Sequence, residues 1–145
     1  MGGSWLWLTL GARVEASVDR RRLMARVRYM VDDVDDAVEF YVSHLGFALV
    51  EQYGSAVAIL VRGDLELIVA GPNTSAARPM LDGAKPSPGG GWSRFVLNVD
   101  DLESWVTRLK EDGVEFRNDV VEQGGRKQIL CVDPSGNVVE LFQPA

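Results

Sequence analysis

One cysteine and one histidine stand in 145 residues. Cys131 alone allows no disulfide framework and no thiolate metal cluster, and it makes the cytoplasm the expected compartment. His44 is on a helical stretch, and no serine has the glycine pattern of a nucleophile elbow, so a catalytic triad is not supported. Basic charge is also short, with 15 Lys and Arg against 21 Asp and Glu and a net charge of −6. That balance argues against nucleic acid, which needs a basic face, and is compatible with a cationic ligand. Long apolar runs are missing. Trp5 to Leu10 is too short to span a bilayer, and no basic residue precedes it as a signal peptide requires, so no membrane role is expected. Gly89-Gly90-Gly91 lacks the Lys and Ser/Thr of a phosphate loop and reads as a hinge.

What is present fits one domain with a real core. A second methionine, Met24, precedes the first regular strand, so residues 1–23 read as an N-terminal extension and 24–145 as the domain. Arg26 to Val31 alternates as a strand. Asp32 and Asp33 are N-cap candidates for a helix whose Val34, Ala37, Val38, Tyr41 and Leu45 share one face, ended by Gly46. Three strands follow, over Phe47–Tyr53, Ala56–Arg62 and Leu65–Ala70. Residues 71–91 carry no periodicity and read as a linker or mobile loop. The pattern then restarts. Trp92–Val99 is a strand, and Asp100 and Asp101 cap a helix, Asp100 with Glu103 at capping-box spacing. Trp105 falls on that helix's apolar face. Strands follow over Val114–Val121, Arg126–Val132 and Val138–Gln143.

The chain is therefore βαβββ twice, with module one over 25–70 and module two over 92–145. Letters repeat as well. Val31-Asp32-Asp33-Val34-Asp35 matches Val99-Asp100-Asp101-Leu102-Glu103, and Gly63-Asp64-Leu65-Glu66-Leu67 matches Gly136 to Leu141 with one residue inserted. Strand side chains alternate between faces. Val27, Tyr29, Val31, Phe95, Leu97 and Val99 form an apolar face for the helices. The opposite face collects Arg26, Arg28, Met30, Arg94, Val96 and Asn98 from the first strands, with Glu66, Ile68, Glu140 and Phe142 from the last. Ala56 and Ala58 are expected to keep this second face small. Such a mixed face suits a ligand cleft better than a solvated surface. Arg26, Arg28, Glu66, Arg94, Asn98, Glu140 and Phe142 are the candidate ligand-binding residues.

The repeat, the Phe40-Tyr41-x-x-x-Leu45-Gly46-Phe47 helix end and the Asp133-Pro134-x-Gly136-Asn137-x-x-Glu140-Leu141 close resemble the vicinal oxygen chelate superfamily. That superfamily includes glyoxalase I, bleomycin-resistance proteins and extradiol dioxygenases. The resemblance implies an α+β fold in which two βαβββ modules form an open, cup-shaped mixed sheet, and a homodimer. Its metal-dependent members place a His on the first strand of each module and a Glu on the last. Carried over, Glu140 matches the terminal Glu and Glu66 its counterpart, while the His positions fall on Arg26 and Arg94. Arginine offers no lone pair, so no metal site and no cofactor are expected. Instead the four residues are read as one charge network on the floor of the cup.

The function this implies is metal-independent binding of a small aromatic or cationic molecule, an antibiotic or a metabolite. The alternative is a lyase, isomerase or dioxygenase-like enzyme using Glu140 or Glu66 as base or as ligand to a divalent metal. A neighbouring guanidinium weakens a carboxylate as a base.

Overall fold

The computed structural model describes residues 24–145. The 1–23 extension lies outside the described residues. Each module is one helix on one four-stranded sheet. The first comprises β1 (Ala25–Met30), α1 (Val34–Leu45), β2 (Ala48–Tyr53), β3 (Val57–Arg62) and β4 (Leu65–Ala70). The second comprises β5 (Phe95–Asn98), α2 (Leu102–Glu111), β6 (Val121–Gln123), β7 (Arg126–Val132) and β8 (Val138–Gln143). Strand orders are β1-β4-β3-β2 and β5-β8-β7-β6. In both sheets the first and last strands pair in parallel and the other pairs are antiparallel. These are two open mixed sheets, as the βαβββ repeat predicts.

The helices start and stop where local chemistry dictates. Asp33 caps α1 by accepting from the Asp36 N–H at 2.9 Å. Gly46 closes it at φ 75°, a conformation that favours glycine. Asp101 caps α2 through Ser104, taking its N–H at 3.3 Å and its Oγ at 2.6 Å. The Asp100–Glu103 capping box does not form, because the cap lies one residue later. Trp105 is only partly buried. Arg62 and Arg108 lie over its ring at 5.6 and 4.7 Å, so it packs at the core's edge.

The apolar faces of the two sheets and both helices share one core. Tyr29 and Phe95 stack across the module boundary with ring centroids 5.1 Å apart. The Tyr29 hydroxyl donates to the Val138 carbonyl at 2.7 Å and accepts from the Phe95 N–H at 3.3 Å. The Asp133–Asn137 turn is the second joint. Asp133 Oδ1 accepts from the Ser135 and Asn137 N–H groups, both at 2.9 Å. Its Oδ2 takes the Tyr41 hydroxyl at 2.8 Å and the Asn137 amide at 3.0 Å. Asn137 Nδ2 also donates to the Met30 carbonyl at 2.8 Å, and its Oδ1 takes the Gly89 N–H at 2.9 Å. The closing motif thus ties β1, α1 and the linker to module two. The linker holds a short 3-10 turn, Ser75–Ala77, and is pinned at both ends, because the Gly71 N–H also donates to the Ala56 carbonyl at 2.8 Å.

Further sequence expectations fail here, and the strand expected over Trp92–Val99 is confined to Phe95–Asn98. Val114–Val121 is not one strand. Glu115 and Arg117 bond to β7 through backbone, but the Asn118 side chain then takes the Leu130 N–H at 2.9 Å, and regular pairing resumes only at Val121. Ala58 lies on the core face, fully buried and paired with Val69, so it does not line the second face. Val57, Ile59 and Val61 take that place.

Burial raises the titration of three acid groups in this frame, Tyr29, Cys131 and, well above the ordinary tyrosine range, Tyr41. It pushes Tyr29 up to about 12 and the Cys131 thiol up to about 12, from 10.0 and 9.0. Both stay protonated in the folded chain after the unfolded chain has lost the proton. The stability that these groups contribute is therefore present below about pH 9 and is lost as pH rises from about 9 to 12. Urea midpoints at pH 8, 9.5 and 11 should decrease in that order. Cys131 should resist alkylation at pH 8 until the chain unfolds.

Candidate functional site

The faces turned away from the shared core carry the candidate residues. In module one the ladder sets Arg26 beside Glu66, and Glu66 beside Val61. Arg26 Nε donates to Glu66 Oε2, a carboxylate that is 1% exposed. Arg28 stands one row along, beside Ile68, and is exposed. In module two Arg94 lies just before β5 and reaches along the sheet. Its Nε and Nη2 donate to Glu140 Oε1 at 3.1 and 2.9 Å, and its Nη1 donates to the Trp92 carbonyl at 3.0 Å. The two side chains are 27% and 11% exposed. Trp92 itself is exposed and anchors no core.

The expected single network of four charges is instead two pairs, one in each sheet. Each of these two pairs runs within one sheet, and among the described residues no ion pair joins Arg94 or Glu140 to module one. The repeat explains why. Met30 pairs with Ala70, and Asn98 with Phe142, so Ala70 and Phe142 are equivalent positions. Counting back, Glu140 is equivalent to Ile68, and Glu66 to Val138. Glu66 is therefore not the counterpart of Glu140. It sits one pair of residues earlier on the same face.

This constellation does not fit the divalent metal that metal-dependent members of the fold hold. Each carboxylate is already engaged by a guanidinium, which donates hydrogen bonds and has no lone pair to give. Among the described residues no three His, Cys, Asp or Glu side chains come together as ligands. His44 lies in the last turn of α1, where its Nδ1 meets Asp112 Oδ2 at 3.3 Å, and Arg108 Nη2 donates to its carbonyl at 3.1 Å. It fastens the two helices together on the far side of the sheets.

The ladder also assembles residues that the sequence reading passed over. Asn98 pairs with Phe142, Phe142 with Gln128, and Gln128 with Val121, one row across all four strands of the second sheet. Gln123 and Arg126 form the next pair beyond that row. With Gly124 they line a cleft of about 400 Å³ bounded by Val121, Gln128 and Phe142. Phe142 and Asn98 were expected on this face, whereas Val121, Gln123, Arg126 and Gln128 were not. The signal was available. It lies in position alone: Ile129 and Cys131 are the fully buried members of β7's apolar run Ile129–Val132, so Arg126 and Gln128, of the opposite parity, face the other way.

Comparison with known proteins agrees with this architecture. Residues 23–141 match the family model of the Glyoxalase/Bleomycin resistance protein/Dioxygenase superfamily. An uncharacterized protein of Shewanella frigidimarina (strain NCIMB 400) is 26% identical over 132 residues, covering 85% of this chain and 94% of its own length. Among solved structures, TnmS3, an antibiotic binding protein from Streptomyces sp. CB03234, is 26% identical with a TM-score of 0.65, covering 84% of this chain and 95% of its own. Lactoylglutathione lyase from Agrobacterium tumefaciens shares the fold at 22% identity and a TM-score of 0.65, with 83% and 92% covered. With its paired βαβββ modules, its two open mixed sheets and this match over most of its length, the chain belongs to the Glyoxalase/Bleomycin resistance protein/Dioxygenase superfamily.

Proposed function

We propose that this protein is a metal-independent binding protein that sequesters a small organic molecule, an antibiotic or a metabolite, on the faces turned away from its core. The observation that carries this reading is the engagement of both carboxylates by arginine. Arg26 holds Glu66 and Arg94 holds Glu140, which leaves neither as a ready metal ligand or general base. Further support comes from the cleft, whose volume of about 400 Å³ lies in the range of small-molecule sites. The likeness to an antibiotic binding protein at 26% identity points the same way. Arg26, Arg28, Glu66, Arg94, Asn98, Glu140 and Phe142 are the proposed ligand-contacting set, of which Phe142 lines the cleft.

A homodimer is part of the proposal. Leu49, Val50 and Tyr53 on β2 and Val121 on β6 are large apolar side chains left exposed on the outer strands of the two sheets. A cytoplasmic location rests on the single cysteine. No described helix is long and apolar enough to cross a membrane.

The test is thermal stabilisation across a panel of antibiotics and aromatic metabolites, with and without EDTA. At least one compound should raise the melting temperature by several degrees equally in both conditions and be recovered unchanged. A panel that leaves melting unmoved, or a bound compound that is converted and survives conversion by Glu140→Gln, would overturn the reading.

A further inference from the structure

The acidic balance of the chain suggests a cationic ligand, and the local charges of the cleft say the opposite. On the outward face of the second sheet Glu140 and Arg94 pair and offset each other. Arg126 is the charge that remains. It is exposed, and among the described residues no ion pair engages it. The nearest acidic residue in sequence, Glu122, pairs across the ladder with Lys127, and both lie on the other face of the sheet. The guanidinium sits over the β6–β7 turn, where a Cβ built on Gly124 would lie 3.8 Å from Nη2. The rest of the cleft offers the half-buried Phe142 ring and the Gln123 and Gln128 side-chain amides.

Resting on the binding function proposed above, we infer that this cleft selects an aromatic anion, a planar ring system carrying a carboxylate. The ring lies against Phe142, the amides orient it, and the anionic group meets Arg126 at the glycine turn. A guanidinium fork matches a carboxylate with two parallel hydrogen bonds. Neighbouring strands are roughly 4.8 Å apart, so the three strands that line the cleft, β6, β7 and β8, span about 10 Å, room for a fused two-ring aromatic. The net charge of the whole chain does not decide this, because it acts over longer distances and is screened, while Arg126 acts at contact.

Three probes of one shape separate the terms: 2-naphthoate, 2-naphthamide and 2-naphthylmethylamine, titrated calorimetrically against the full chain. The naphthoate should bind about 10-fold or more tightly than the other two, as a charge-assisted bond requires. Arg126→Gln should abolish that preference, and Arg126→Lys should keep part of it. Since Arg126 is exposed, neither change should alter the melting temperature of the free protein. Equal binding of the three probes, tightest binding of the amine, or an undiminished preference in Arg126→Gln overturns the inference. If none of the three binds while another compound of the broader panel stabilises the protein, the aromatic-anion inference falls and the binding function stands. If nothing in either set binds, both fall.

Discussion

Asp133→Ala should cost about 4 kcal/mol, roughly 12 °C in melting temperature for a chain of this size. Asp133 is 5% exposed and accepts four hydrogen bonds, two from backbone N–H groups and two from side chains. Removing the carboxylate leaves those donors with no acceptor in a place that little water reaches, and each orphaned buried group costs on the order of 1–3 kcal/mol. The loss should also reach beyond the turn. Tyr41 is in the middle of α1, and Asn137 also holds Met30 and Gly89. Asp133→Asn keeps the shape and one good acceptor, and its cost should be about half. Urea unfolding of the three proteins measures this. If Asp133→Ala lost under 1 kcal/mol, the turn would not be the joint between the modules.

The second large effect concerns the Arg94–Glu140 pair. Arg94→Ala withdraws both donors from Glu140 Oε1, whose side chain is 11% exposed, and should destabilise by about 2–3 kcal/mol. The penalty is that of a poorly hydrated carboxylate left alone rather than of a lost attraction. Arg94→Met combined with Glu140→Leu removes both charges together and should return to within about 1 kcal/mol of the parent. A double variant as unstable as Arg94→Ala would mean that packing by the arginine stem, and not charge pairing, sets the cost.

The two modules, their element order and the faces of the first and last strands were legible in the sequence. They rest on strong signals: a repeated valine-aspartate start, helices with one apolar face, and strands with one polar member. The equivalence of Glu66 and Glu140 was misread for a physical reason. Strand alternation has a period of two, so a slip of two residues keeps every side chain on its face and leaves no trace in the pattern. Hydrogen-bond register alone exposes it, through Met30 with Ala70 and Asn98 with Phe142. Ala58 was misplaced because β3 reads Val-Ala-Ile-Leu-Val-Arg, a run with no polar residue to mark a face until its end. The cleft residues on β6 and β7 were missed for other reasons. On β6, Asn118 replaces a backbone group in the ladder and interrupts the strand before Val121, and on β7 the apolar run Ile129–Val132 marks no face by letter.

Arginines engage both candidate carboxylates, Glu66 and Glu140, and leave neither to a metal. Elemental analysis of the full chain, purified without chelator and dialysed, tests it most directly. The expected result is well under about 0.1 equivalents of any divalent metal per chain, with ligand-induced stabilisation unchanged by EDTA. About one equivalent of a divalent metal that survives dialysis and is lost in Glu140→Gln would contradict it.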